Sequence, residues 1–96
     1  MDSLREKEIE KKLAEAVRKS GGLALKFVSP GWSGAPDRIV LLPGGKAGFV
    51  EVKAPGKKPR PLQARRKKQL EQIGCKVFVL DDPGQVGGII DEIRTP

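Results

Sequence analysis

The sequence predicts an α/β fold, a mixed sheet with helices on its faces and the element order α-β-β-β-α-β. Two segments carry apolar residues or helix formers at helical spacing, and four short segments have the apolar, β-branched character of strands. The chain has 96 residues, of which 38% are hydrophobic and 32% are charged, as is typical of one small globular domain. We therefore expect a single domain over residues 1–96 with a shallow core.

The first half of the chain is predicted to form one helix and three strands. Apolar residues recur at helical spacing over residues 4–19, and Ser3 with Glu6 suits a capping box at the start of this helix. The loop 29–36 is rich in Gly, Ser and Pro, and Pro43-Gly44-Gly45 marks a hairpin turn. The predicted strands are 23–28, 37–42 and 47–53.

The second half is predicted to form a helix, a strand and a weak final helix. Pro61 is acceptable at the first position of a helix over 61–72. The apolar segment 75–80 is predicted as a strand in a central position beside the hairpin. Residues 85–93 suit a short closing helix, which Gly87-Gly88 weaken.

Missing residue types exclude several kinds of chemistry. The chain contains no His and no Tyr, which excludes Ser-His-Asp and Cys-His catalysis, the usual zinc sites and a tyrosine nucleophile. The single cysteine, Cys75, is expected to be a small buried hydrophobe, and the lack of disulfides fits a reducing cytoplasm. No apolar run approaches the ~18 residues of a membrane span, and the charged N-terminal segment is unlike a signal peptide. We expect a cytoplasmic domain whose chemistry runs on carboxylates and lysines, with no membrane partner.

The net charge of +7 is concentrated in residues 57–68, which hold seven basic residues and no acidic one. The rest of the chain is neutral. A charge run is often only a solvated face. Seven basic residues with no acid, directly after the predicted strand 47–53, instead favour contact with the phosphates of a polyanionic partner. The basic residues are Lys57, Lys58, Arg60, Arg65, Arg66, Lys67 and Lys68.

A second pattern joins Pro36-Asp37 to Glu51-Val52-Lys53. Strand side chains alternate, so Glu51 and Lys53 share one face, and the hairpin brings Asp37 close to both. Two converging carboxylates repel each other unless a cation lies between them, and oxygen ligands suit a hard cation such as Mg²⁺. The alternative is that Glu51 and Lys53 form a solvated pair and that Asp37 is a turn residue.

Pro36-Asp37 with Glu51-Val52-Lys53 resembles the PD-(D/E)xK nuclease signature. The segments GGLALKFVSPGWSGAPDRIVLLPGG and FVEVKAPGKKPRPLQ are similar to the short stand-alone members of the VRR-NUC family found in phages and bacteria. The resemblance implies a restriction-endonuclease-like fold and DNA cleavage dependent on Mg²⁺ or Mn²⁺, with no other cofactor, in a bacterial or phage-infected cell. It implies that Asp37 and Glu51 are metal ligands, that Lys53 is the catalytic lysine, and that Gln63 is the helix glutamine near the metal. Val52 is included among the candidate metal ligands.

The family pattern also implies a glutamate from the first helix, and the sequence leaves two candidates. With Ile9 set at 0° and about 100° per residue, Glu6 falls at about 60°, inside the apolar arc, and Glu10 at about 100°, on its edge. Glu6 is slightly favoured. The alternatives are that Glu6 only completes the capping box and that Glu10 is a charge at the helix border.

These observations predict a homodimeric endonuclease that cuts branched DNA, such as Holliday junctions or flaps, in repair or recombination. Trp32 is expected to stack on a base or to be buried against the sheet, and Arg38 to pair with a phosphate or with Glu51. The candidate DNA-binding residues are Trp32, Arg38, Lys57, Lys58, Arg60, Arg65 and Arg66. The alternatives are a non-catalytic nucleic-acid-binding module that uses residues 57–68, and a sequence-specific restriction enzyme.

Overall fold

The computed structural model of the chain describes the backbone from Asp2 and the side chains from Arg5 onward. The element order is the predicted one, α-β-β-β-α-β, followed by a closing helix. Helix α1 begins at Asp2, before the predicted start, and the capping role predicted for Ser3 lies outside the described side chains. The elements are α1 (Asp2–Lys19), β1 (Leu23–Lys26), β2 (Arg38–Leu42), β3 (Lys46–Val52), α2 (Pro61–Gln72), β4 (Val77–Leu80), a 3₁₀ turn (Pro83–Gln85) and α3 (Val86–Arg94).

The four strands form one mixed sheet in the order β1-β2-β3-β4. β1 and β2 pair antiparallel, β2 and β3 form the predicted hairpin, and β4 runs parallel to β3. Gly44 and Gly45 both have positive φ in the hairpin turn, a conformation that favours glycine. The predicted central position of β4 is wrong: α2 returns the chain to the free side of β3, so β4 is an edge strand beside the hairpin.

The hydrophobic core lies between one sheet face and the two helices α1 and α3. α3 contributes four buried apolar residues, so the exposed Gly87 and Gly88 do not prevent this helix. Gly48 lets α3 approach closely, because a Cβ there would lie 2.8 Å from Ile93 Cγ1. The core residues are Ile9, Leu13, Val17, Val40, Leu42, Val50, Val52, Leu80, Val86, Ile89, Ile90 and Ile93.

The opposite sheet face is covered only in part. No residue of α2 is buried, and α2 packs on the β4 side, where Gln63 and Lys67 line a small recess with Val77 and Val79. Cys75, which precedes β4, is half-buried rather than buried as expected.

The remaining part of this face, here called the open sheet face, is apolar. Leu23 and Leu25 of β1 are 59% and 44% exposed, so the apolar alternation of this strand faces solvent and not the core. Through the strand register, Leu23 lies beside Leu41, and Leu25 lies beside Ile39, which in turn lies beside Phe49. The open sheet face consists of Leu23, Leu25, Ile39, Leu41 and Phe49.

No helix in the described part of the chain is both long enough and apolar enough to span a membrane.

Candidate active site

Asp37 lies immediately before β2 and is held from two sides. Its backbone carbonyl accepts a hydrogen bond from the amide of Phe27 at 2.8 Å. Its side-chain Oδ1 accepts a second hydrogen bond from the amide of Val52 at 3.0 Å. The antiparallel register of β2 and β3 therefore holds the Asp37 carboxylate beside the end of β3. Val52, which donates to this carboxylate, directly follows Glu51 in the strand.

Glu51 is the buried charged residue of the described side chains, with 7% of its surface exposed. Its Oε2 accepts a 2.7 Å hydrogen bond from Gln63 Nε2 and lies 3.6 Å from Lys53 Nζ. The amide of Gln63 is itself oriented, because its Oε1 accepts a hydrogen bond from the backbone N–H of Arg60 at 2.8 Å. The start of α2 and the end of β3 thus fix the Glu51 carboxylate between an amide and an ammonium group.

The two carboxylates are poorly stabilised as anions. Burial raises the pKa of Asp37, the Val52 hydrogen bond opposes this rise, and the charge of Glu10 adds to it. Burial also raises the pKa of Glu51, the charge of Asp37 raises it further, and Lys53 opposes the rise. A buried and a half-buried carboxylate that repel each other are a donor set that a bound cation would stabilise.

The residues present fit a magnesium site in which the protein supplies only part of the coordination shell. Among the described residues no three acidic, His or Cys side chains converge as a ready cluster. Mg²⁺, however, is commonly held by one or two carboxylates, with water and substrate phosphate completing its shell, and Asp37 with Glu51 supply that pair. The Val52 side chain is buried in the core, so only the backbone carbonyl of this candidate could contact a cation.

Of the two candidate glutamates on α1, Glu10 lies at the site. Its Oε2 is 3.2 Å from Arg38 Nη2, and its charge acts on Asp37. Among the interactions of the described side chains, none joins Glu6 to Asp37 or Glu51. Arg38 pairs with Glu10 rather than with Glu51. The sequence held a signal for this pair, because Arg38 shares its sheet face with buried Val40, the face that α1 covers.

The basic segment divides into two groups. Lys57, Lys58, Arg60, Arg65 and Lys68 are exposed. Arg66 and Lys67 are half-buried and make contacts within the chain. Lys67 pairs with Glu71 at 2.9 Å, and Arg66 donates from Nε to the carbonyl of Ser33 and lies over the ring of Trp32. The Arg66–Trp32 contact was missed by the sequence reasoning, because nothing in the spacing brings loop 29–36 against α2.

A mixed sheet with two carboxylates and a lysine at the end of a hairpin is the arrangement of a nuclease-type domain. Comparisons with known proteins agree. A solved structure described as "VRR_NUC domain" superposes with a TM-score of 0.83 at 38% identity, over 91% of this chain and 95% of that one. The "Putative nuclease p44" of Acyrthosiphon pisum secondary endosymbiont phage 1 is 57% identical over 81 residues, which cover 84% of this chain and 87% of that protein. No family model matches the sequence. The chain belongs to the VRR-NUC family of nucleases.

Proposed function

We propose that the chain is an endonuclease that requires Mg²⁺ or Mn²⁺, hydrolyses DNA phosphodiester bonds and acts on branched DNA as a homodimer. The observation that carries this proposal is the pair Asp37 and Glu51, two neighbouring carboxylates with raised pKa values beside Lys53. A binding module would gain nothing from buried carboxylates facing phosphate, because like charges repel.

The site residues have separable roles in this proposal. Asp37 and Glu51 hold the cation, which when bound would polarise the phosphate and lower the pKa of a water. Lys53 orients or deprotonates the attacking water, or stabilises the charge that develops on the phosphate oxygens. Gln63 is a positioning residue that keeps the Glu51 carboxylate in place through its 2.7 Å hydrogen bond.

Binding to DNA is assigned to the exposed cations that follow β3 and lie along α2. Cations of this kind contact phosphates and give an affinity that falls steeply with salt but reads little sequence. A domain of 96 residues has few loops that could reach base edges. DNA structure is therefore the more suitable target than base sequence, and Holliday junctions, flaps and other repair intermediates are the candidate substrates.

The homodimer is supported by the open sheet face. Five apolar side chains from three adjacent strands form this surface in a chain that is 32% charged. A second copy related by a two-fold axis would cover it with the same apolar residues. A dimer would also supply the two sites that cutting two strands of a junction requires.

Removal of the metal tests the nuclease proposal. End-labelled four-way junction, flap, linear duplex and single-stranded DNA are incubated with the wild-type protein in Mg²⁺, in Mn²⁺ and in EDTA. We expect cleavage of the branched substrates with either ion and none in EDTA. Binding of every substrate without cleavage in any condition would contradict the proposal and favour the non-catalytic binding module.

We propose Glu10, rather than the slightly favoured Glu6, as the α1 ligand, because the charge of Glu10 acts on Asp37, and this choice has its own test. Glu10→Gln is expected to weaken Mn²⁺ affinity and cleavage by about 10–100-fold, as loss of a residue that supports a metal site does. Glu6→Gln, one helical turn earlier, is expected to change neither measurably. Isothermal titration with Mn²⁺ and single-turnover cleavage rates measure both quantities.

Arg38→Gln is the control for loss of the ion pair, since it breaks the 3.2 Å contact and keeps the Glu10 carboxylate. An Mn²⁺ affinity lowered as much by Arg38→Gln as by Glu10→Gln would mean that the ion pair, and not a ligand, was lost. A larger loss with Glu6→Gln would assign the ligand to Glu6.

A further inference from the structure

The loop 29–36, which ends at the candidate active site, is held in a fixed conformation. The hydrogen bond from the Phe27 amide to the Asp37 carbonyl closes its base, and the Trp32 amide donates to the Ser29 carbonyl in a turn inside it. Gly34 has a positive φ, and a Cβ at this position would lie 2.7 Å from Leu62 Cγ. The loop is therefore packed directly against the first turn of α2.

The indole of Trp32 is held on one side by Arg66. The Arg66 Cζ atom lies 4.7 Å from the ring centroid, and the guanidinium is anchored by hydrogen bonds to the Ser33 carbonyl at 2.8 Å and to Gln69 Oε1 at 2.9 Å. Among the interactions of the described residues, no second ring or cation lies on this indole and its Nε1 makes no hydrogen bond. Trp32 is half-buried and not enclosed in the core.

We propose that Trp32 is a stacking platform for an unpaired nucleobase of the DNA strand that is bound at the Asp37–Glu51 site. This inference rests on the DNA-binding part of the proposed function. It adds a recognition site to a domain whose other assigned contacts are phosphate contacts.

The position of Trp32 supports a contact with a nucleotide close to the cut. Asp37 is five positions after Trp32 in the chain, so the two residues are at most about 18 Å apart at ~3.6 Å per residue. Arg65 is exposed on the same helix as Arg66 and is available to a phosphate of the same strand. The anchored guanidinium also fixes the indole before DNA binds, which reduces the entropy lost on stacking.

An aromatic platform favours an unpaired base for a physical reason. A base inside a duplex has both faces covered by its neighbours, whereas a base at a branch point, gap or frayed end can lay its free face on an indole. Such stacking contributes about 1–3 kcal/mol per base and tolerates any sequence. The platform thus gives a preference for disrupted DNA without base-edge readout.

The wild-type protein allows a direct test, because Trp32 is the only Trp and the chain has no Tyr. Trp fluorescence is titrated in EDTA with a fully paired DNA hairpin, closed at its ends by linkers that carry no nucleobase, and with the same hairpin carrying a short single-stranded gap. Fluorescence anisotropy of labelled DNA reports binding of both. We expect quenching with the gapped hairpin and little change with the paired one. Replacing the gap nucleotides by abasic sites is expected to remove the quenching.

Two variants separate stacking from charge. Trp32→Leu is expected to weaken binding of the gapped hairpin by about 5–150-fold, which corresponds to 1–3 kcal/mol, and to leave the paired hairpin unchanged. Arg65→Ala, which removes an exposed cation from α2, is expected to weaken both substrates equally. Thermal melting checks that each variant is folded, and the wild-type fluorescence measurement does not depend on any variant folding.

The outcomes also distinguish this inference from the nuclease proposal. Mg²⁺-dependent cleavage of gapped DNA without quenching would overturn the platform and keep the nuclease. Quenching that abasic sites remove, without cleavage in any metal, would keep the platform and overturn the nuclease. Equal quenching by paired and gapped DNA would show that Trp32 only packs the loop against α2 and would overturn the inference.

Discussion

Asp37→Asn should abolish metal-dependent cleavage, with a loss of about 10²- to 10³-fold or more, as removal of one preorganised charge from an active site does. The asparagine keeps an oxygen to accept the 3.0 Å hydrogen bond from the Val52 amide, so the local fold is expected to persist. DNA affinity measured in EDTA should be maintained or rise slightly, because a negative charge facing phosphate is lost. Single-turnover cleavage and anisotropy measure the two effects.

The same variant should be more stable than the wild-type protein when no metal is present. Burial raises the pKa of Asp37 in the folded state above its unfolded value of about 3.9. A carboxyl with a raised pKa contributes its stability in full below the unfolded pKa, and this contribution is lost as the pH rises through the folded pKa. At pH 7 the half-buried Asp37 carboxylate therefore destabilises the metal-free protein, and Asp37→Asn removes that cost.

Thermal melts in EDTA from pH 4 to pH 8 check this sign. We expect the melting temperature of Asp37→Asn to exceed that of the wild-type protein at pH 7, because the raised pKa of Asp37 means that its ionised form is costly to keep in the folded protein. The difference should narrow towards pH 4. Added Mg²⁺ should raise the melting temperature of the wild-type protein alone, because a ligand of the folded state stabilises it.

Asp91→Asn is the matched control, because the Asp91 side chain is 79% exposed and its nearest cation, Arg94, is 4.0 Å away. It should change neither the melting temperature nor cleavage. A melting temperature of Asp37→Asn well below that of the wild-type protein at pH 7 would contradict the argument. It would mean that the stronger hydrogen bond that a charged oxygen accepts from the Val52 amide outweighs the cost of burying the charge.

The placement of Asp37, Glu51 and Lys53 in the candidate active site followed from the sequence because it depends on local rules. Strand alternation puts Glu51 and Lys53 on one face, and an antiparallel hairpin must return the end of β3 to the start of β2, where Asp37 stands. The contact of Gln63 with Glu51 did not come from these rules: the family resemblance implied a helix glutamine near the metal, and the structure shows Gln63 Nε2 2.7 Å from Glu51 Oε2. The placement of Asp37 beside the end of β3 needs only a short hairpin turn and the period of a strand.

Contacts between distant elements did not follow in the same way. The edge position of β4 depends on the side of β3 to which the α2 crossover returns the chain. The sequence of β4, which is buried on one face, is equally compatible with a central strand. Loop 29–36 meets α2 through Gly34 and Leu62, a packing contact with no periodic signal. The contact of Glu10 with Arg38, and the effect of the Glu10 charge on Asp37, depend on where α1 lies over the sheet, which an ideal helical wheel does not contain.

In β1 the sequence showed that apolar residues alternate, but it did not show which face of the sheet they would occupy. Leu23 and Leu25 alternate as a core-facing set would, yet α1 and α3 pack on the other face, against Ala24. A period of two identifies a half-buried strand without saying which protein surface buries it. In this chain the proposed answer is a second copy.

Leu25→Lys should convert the proposed dimer into a monomer. Leu25 is 44% exposed and lies beside Ile39 within the open sheet face. Fully burying a leucine contributes about 1.5–3 kcal/mol, and Leu25 has 44% of its surface left to bury, so two symmetric copies lose about 1.3–2.6 kcal/mol, which weakens the dimer by about 10–90-fold. The charge of the buried lysine adds to this loss. Lysine is chosen because it adds no negative charge that would repel DNA. Analytical ultracentrifugation over a concentration series measures the dissociation constant.

Ile73→Lys is the control, because Ile73 is 78% exposed and apolar but lies at the end of α2, outside the open sheet face. It should leave the dimer intact.

The Leu25→Lys monomer keeps Asp37, Glu51 and Lys53, so it should still nick a labelled junction with Mg²⁺ but should lose paired cuts on two strands within one binding event. Two outcomes would contradict the proposal that the open sheet face is the dimer interface. One is a wild-type protein that is monomeric at the concentrations at which it makes paired cuts, and the other is an unchanged dimer affinity in Leu25→Lys. Loss of paired cuts with retained nicking is the expected result. It would show that each subunit carries its own catalytic site and that the dimer is needed only to cut both strands.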